Sequence, residues 1–278
     1  MHYNESMKIV FQYFLSILLV SQAISQDIPY GNNPAAGHYF TVDGTKLYYE
    51  IYGKGQPLVM LHGGVYGYID EFASFIPKLA EKFQVICIAT RGHGKSEIGK
   101  EPFTYKQRAD DAYKLIRSIT KDSVVVIGFS DGGTTGFKLT ALHPELVKKL
   151  VVMGVGDKPK NRQHEKANYS PEKLMKADSA LFSSRLKLMP ESKRWEQCLT
   201  WLNAMYNNDY LSKETLEKIQ CPVLLMNGDD DGYNTIDEFI QCAKYIRNKQ
   251  VALIPGCYHV IFFCNFPAVW ASLEPFLE

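Results

Sequence analysis

Short apolar runs that no charge interrupts recur along this chain, and they leave it few folds to choose from. They are Pro57–Leu61, Val85–Ala89, Val124–Phe129, Leu150–Met153 and Pro222–Met226, with Val251–Pro255 as a later, shorter one. A strand with one wet face alternates polar and apolar residues, whereas an unbroken Val/Ile/Leu run is buried on both faces. Segments with helical spacing lie between the runs. Phe72, Phe75, Ile76 and Leu79 fall on one face of 71–82, and Ala109, Ala112, Leu115, Ile116 and Ile119 on one face of 105–120. Further helices are expected at 134–142, at 235–246 and in a last segment ending at Phe276. Strands alternating with helices predict an α/β fold: a mostly parallel, doubly wound sheet covered on both sides. Asp43-Gly44, between HYFTV and KLYYEIYG, adds a hairpin ahead of it. The 278 residues, 46% of them apolar, suit one large domain over 38–278.

The rhythm breaks at about 157–212, which is polar and helical in character, with Trp195, Leu199, Trp201, Leu202 and Met205 as its apolar stripe. This reads as a helical cap inserted between two strands. The opening of the chain differs again. Lys8 precedes an apolar run from Ile9 to Val20, and Ala23 and Ser25 occupy the small positions of a cleavage site. That is the layout of a secretory signal over 1–25, and about a dozen apolar residues fall short of the roughly 20 a membrane span needs. Met7-Lys8 opens the signal cleanly and is an alternative start. Residues 26–37, rich in Pro, Gly and Asn, read as a linker. The mature protein is therefore expected to be exported, to the periplasm or beyond, without a stable membrane span. Charge is balanced, 31 Lys and Arg against 30 Asp and Glu, which argues against a nucleic-acid partner. No feature sets an oligomeric state. Of the six cysteines, Cys87 lies within an apolar run and reads as a buried thiol. The other five match no metal template, and export would permit a disulfide of open pairing.

The chemistry centres on GFSDGG, Gly128–Gly133. A buried strand feeds this G-x-S-x-G motif and a helix leaves it, the context in which the serine is a nucleophile. Ser130 must sit at the apex of a sharp turn, which side chains two residues before and after would obstruct. A serine hydroxyl needs a base, and the base needs an orienting acid. Beyond Asp157 the histidines are His164, in the cap, and His259, which follows the last strand run and is the expected base. Asp229, Asp230 and Asp231 follow the Pro222–Met226 run, and the turn pattern favours Asp231 as the acid. LHGGVYG after the first run supplies the oxyanion hole, with Gly64 expected as one N–H donor, Val65 next in order, and Asp131 as the other. His62 reads as a brace for that turn. The Asp131 side chain has two open readings: it favours the start of the next helix, or it meets a substrate cation.

Together HGG, RGHGKS (Arg91–Ser96), GFSDGG, HPELVKKLVVMG, the GDDD turn and GCYH resemble the α/β-hydrolase superfamily, in particular its small esterase, lactonase and aminoacyl-hydrolase branch. The resemblance spans about Tyr39–Phe276 and departs at Ala89, where such proteins often carry a structural Asp. It implies hydrolysis of an ester or related acyl bond of a small molecule through an acyl-Ser130 intermediate, with no cofactor and no metal. Its serine sets the chain apart from epoxide hydrolases and dehalogenases, which use an Asp. The alternatives are an aminopeptidase-like or aminoacyl-ester hydrolase, a carbon–carbon hydrolase or cofactor-free haloperoxidase, and, from another class, a non-catalytic ligand receptor on the same fold.

Overall fold

The computed structural model describes residues 28–157 and 166–278. The expected signal at 1–25, and His164, lie outside the described residues. In chain order the elements are β1 (Gly37–Val42), β2 (Thr45–Tyr52), β3 (Gln56–Leu61), α1 (Ile76–Leu79), β4 (Phe83–Ile88), α2 (Tyr105–Ile119), β5 (Val124–Phe129), α3 (Asp131–Leu142) and β6 (Val147–Met153). There follow α4 (Pro171–Ala177), α5 (Ser179–Leu188), α6 (Trp195–Asn208), α7 (Lys213–Glu217), β7 (Val223–Gly228), α8 (Ile236–Lys244), β8 (Lys249–Ile254), α9 (Ile261–Cys264) and α10 (Phe266–Leu277). Asp43 and Gly44 turn the β1–β2 hairpin with φ of 47° and 74°, the paired left-handed conformation that an Asp-Gly turn favours.

The sheet runs β1-β2-β4-β3-β5-β6-β7-β8, antiparallel through β1, β2 and β4 and parallel from β4 onward. β3 has β4 on one side and β5 on the other, so the winding reverses there. Reversal of strand order opens a crevice at the carboxyl ends of the strands, where ligands bind in such sheets. The unbroken apolar runs divide their residues between two cores. Val59, Leu61, Val126, Leu150 and Val152 pack on one face with α2, α3 and α8. Leu58, Met60, Val125, Ile127, Val151 and Met226 pack on the other with α1 and α10. A third, separate cluster joins α4, α5 and α6 to Ile98, Phe103 and Tyr105 of the sheet domain. Among the described residues no helix is long and apolar enough to cross a membrane.

Several boundaries differ from the sequence pattern. The expected helix over 71–82 is a 3-10 turn at Ile69–Phe72 followed by short α1. Pro77 is tolerated only in a first turn, so it forces the helix to restart, and Glu71 points inward rather than to water. The last helix is likewise divided. Asn265 caps α10 by accepting from the Ala268 N–H at 3.2 Å, and Pro267 follows in the first turn. α3 starts at Asp131, three residues ahead of the expected Thr134. The stretch read as a linker packs on the sheet from Tyr30 onward: the Gly31 and Asn33 N–H groups donate to the buried Glu50 carboxylate at 2.8 and 2.9 Å.

Candidate active site

Ser130 joins β5 to α3 with φ 51° and ψ −110°, a strained conformation for a residue with a side chain. The glycines around it are explained by close approach. A Cβ at Gly128 would lie 2.4 Å from the Gly132 carbonyl oxygen, and one at Gly132 would lie 1.9 Å from that of Leu61. The Ser130 N–H donates to the Met153 carbonyl at 2.8 Å, which fixes the turn against β6.

The loop after β8 brings His259 over this turn. Its Nε2 is 2.9 Å from Ser130 Oγ, and its Nδ1 is 2.9 Å from Asp231 Oδ2. The proton pattern that serves both contacts has Nδ1–H donating to the carboxylate and Nε2 accepting from the serine hydroxyl. Phe129 and Tyr233 flank the imidazole, with ring centroids at 5.0 and 4.9 Å. Burial works against ionisation of Asp231, but hydrogen bonds from His259 and from the Tyr233 and Asn234 N–H groups outweigh it and hold its carboxyl below the ordinary range. Asp229 and Asp230 are exposed, and their contacts run instead to Cys257. Cys257 and Cys264 form a disulfide that closes a loop around His259. Sequence reasoning left this pairing open, because spacing alone does not distinguish it.

The loop expected to supply the oxyanion hole follows β3. Val65 has φ 46°, and a Cβ on Gly64 would lie 2.1 Å from Tyr206 Oη and 3.1 Å from Asp131 Oδ2. A side chain there would have to displace the Tyr206 hydroxyl. The Asp131 N–H belongs to the first turn of α3, where an α-helix leaves its donors without intrahelical partners. His62 braces the turn: Nε2 accepts from the Thr90 N–H at 3.0 Å, and Nδ1 lies 2.6 Å from the Gly63 carbonyl. Burial holds this imidazole well below its ordinary pKa.

Two neighbours of the site escaped the sequence reading. Glu71, placed by pattern on a surface helix, is buried and accepts the Gly63 N–H at 2.7 Å. Burial pushes its carboxyl up to about 8. Arg108, on α2, donates from Nη1 to Asp131 Oδ2. The Asp131 carboxylate thus stands in the first turn of α3, as the helix-start reading expected, and is engaged there by a buried arginine. No local pattern reveals that pair, whose members are 23 residues apart on different helices.

The family model described as the alpha/beta hydrolase fold matches residues 56–205. Over 258 residues, 85% of either chain, the sequence is 26% identical to the 2-hydroxy-6-oxo-6-(2'-aminophenyl)hexa-2,4-dienoic acid hydrolase of Metapseudomonas resinovorans. It is 26% identical to the serine hydrolase BPHL of Mus musculus over 78% of each. Among solved structures, an esterase from Exiguobacterium antarcticum superposes with a TM-score of 0.71 at 23% identity, over 86% of this chain and 98% of that one.

Proposed function

The chain belongs to the alpha/beta hydrolase fold family, and from that premise we propose that it is a serine hydrolase acting on an ester or closely related acyl bond of a small molecule. The observation that carries the proposal is the unbroken line from Ser130 Oγ through His259 to Asp231, both links at 2.9 Å. In the proposed reaction Ser130 Oγ attacks the acyl carbon as His259 Nε2 takes its proton. Asp231, ionised and buried, holds the tautomer and stabilises the imidazolium that forms. The carbonyl electrons move to an oxygen that faces the Asp131 N–H and the Gly64–Val65 backbone. Collapse expels the leaving alkoxide, which receives the proton from His259 and leaves acyl-Ser130. Water, giving its proton to His259, then attacks the acyl carbon; the bond to Ser130 Oγ breaks, the acid leaves and His259 returns the proton to Oγ.

The helices between β6 and β7 would serve as a cap and wall the pocket. Export by way of the 1–25 segment remains part of the same reading. An intact Ser, His and Asp set gives no support to a non-catalytic receptor. The test is labelling by a fluorophosphonate together with an ester and lactone panel. Wild type should be labelled at Ser130 and hydrolyse members of the panel. Ser130→Ala should lose both, by on the order of 10⁴-fold in rate, while melting like wild type. Labelling that persists at wild-type stoichiometry in Ser130→Ala would remove Ser130 as nucleophile.

A further inference from the structure

A carboxylate beside a nucleophilic serine is placed to meet a cation, and at Asp131 the cation is the protein's own. Arg108 and Asp131 pair through Nη1 and Oδ2 with side chains only 1% and 3% exposed. The Phe103 ring backs the guanidinium at 5.7 Å. Tyr206, on α6, reaches the same Oδ2 through its hydroxyl at 3.3 Å. The pair is incompletely satisfied: Asp131 Oδ1 and Arg108 Nε and Nη2 are buried without hydrogen-bond partners among the described residues. Such a pair is a poor device for stability, since apolar residues of similar volume often do as well. Its location is what distinguishes it. Asp131 follows the serine, and its Oδ2 would lie 3.1 Å from a Cβ on Gly64, so the carboxylate sits between the nucleophile turn, the oxyanion loop and the overlying helix.

We propose that Arg108 is a specificity-determining residue: by occupying the Asp131 carboxylate it makes the site select neutral acyl groups over acyl groups that carry an ammonium. The inference rests on acyl hydrolysis at Ser130 as proposed above. Without Arg108, a buried carboxylate next to the reacting centre would draw an α-ammonium and make a charged hydrogen bond to it. With Arg108 in place the two side chains present no net charge. An arriving ammonium would have to displace a guanidinium locked by packing, and would meet its repulsion on the way.

The experiment compares benzyl esters of phenylalanine and of 3-phenylpropionate, which differ only in the amino group, at pH 6, where the α-amino group is mostly protonated. Wild type should favour the 3-phenylpropionate ester. Arg108→Met should raise the ratio of kcat/KM for the phenylalanine ester to that for the neutral ester by roughly tenfold to a hundredfold, the range of a charged hydrogen bond. Arg108→Gln, which still donates to Asp131, should raise it less. Adding Asp131→Asn to either variant should return the ratio to the wild-type value. A folded Arg108→Met that hydrolyses the neutral ester at an unchanged ratio overturns the proposal. If neither arginine variant folds, the wild-type ratio alone decides: a higher kcat/KM for the neutral ester is expected, and a higher one for the phenylalanine ester overturns the masking role. Fluorophosphonate labelling runs alongside. An unlabelled wild type overturns the acyl-transfer reading and the role of Arg108 with it, whereas a labelled enzyme with an unmoved ratio overturns the role of Arg108 alone.

Discussion

Asp229, Asp230 and Asp231 stand in a row after β7, yet they meet different surroundings. Asp231 is buried, accepts two backbone N–H groups on one oxygen and faces His259 with the other. Its neighbours are exposed. Asp231→Asn keeps the shape but presents an amide where Nδ1–H needs an acceptor, and so favours the wrong tautomer. A fall in kcat/KM of about 10³–10⁴-fold is expected, against little change for Asp229→Asn. Steady-state kinetics on the two variants would reveal a reversed assignment at once. The order Ser, acid, His made the three groups legible in the sequence, because each stands at the end of an apolar run that the parallel sheet brings to one edge. Glu71 was not legible. Its neighbours Phe72, Phe75 and Ile76 have helical spacing, and nothing local says that the carboxyl turns toward Gly63. Its physics gives a second prediction. A carboxyl raised in the folded state from 4.5 to about 8 keeps its proton while the unfolded chain loses one, so stability falls as pH rises between those values. Gln at this position still offers an oxygen to the Gly63 N–H but cannot ionise. Thermal melts at pH 5 and pH 8 should therefore show Glu71→Gln gaining on wild type at the higher pH, by on the order of 2–5 kcal/mol. Parallel melting curves at both pH values would assign Glu71 another protonation state.

At the scale of elements, the loop from β8 to α9 carries His259 and has only short structure on either side. Its anchors are the Asp229 carboxylate on the Cys257 N–H at 3.3 Å, the Cys257 carbonyl on the Asp230 N–H at 3.1 Å, and the disulfide from Cys257 to Cys264. Cys257 is buried and Cys264 exposed, so the bond ties the loop's inner end to the end of α9 across His259. Closing a loop of 7 residues is worth about 2 kcal/mol in the chain-entropy account. The paired Cys257→Ser and Cys264→Ser variant should lose about that much stability, and its kcat/KM should fall several-fold as His259 samples positions away from Ser130. Wild type treated with dithiothreitol should match the variant in both measurements. Equal activity with a lowered melting temperature would make the disulfide a stabiliser only. The sheet's strands were readable from composition, since buried parallel strands show as apolar runs. The interrupted helices at 71–82 and before α10 were not, because hydrophobic spacing continues across Pro77 and Asn265 while the backbone does not.

For the whole molecule, the separation of its apolar clusters matters more than their size. Two clusters clasp the sheet, and the third belongs to α4, α5 and α6, meeting the sheet domain at Ile98, Phe103, Tyr105 and Val65 and through the edge-on contact of Tyr66 with Phe182. Polar ties add to these, beside the Tyr206 hydroxyl on Asp131. Asp209 accepts the Tyr105 N–H at 2.7 Å, Glu191 accepts the Ile98 N–H at 2.5 Å, Arg194 donates to the Gly99 carbonyl at 2.8 Å, and Arg185 pairs with Asp70 at 2.7 Å on the surface. Exposed ion pairs of that kind contribute little, typically below 1 kcal/mol. A unit with its own small core and few cross-links opens before the sheet does, and local openings set amide exchange in such units. Native-state hydrogen exchange should therefore place the amides of α6 at least about 2 kcal/mol below those of β5 and β6 in opening free energy, with a smaller dependence on denaturant. Asp209→Ala removes the acceptor at the start of α2 and should lower α6 further while leaving β5 unmoved. If α6 and β5 exchanged at one common free energy, the helices would unfold only with the sheet, and substrate entry would have to occur through the closed form.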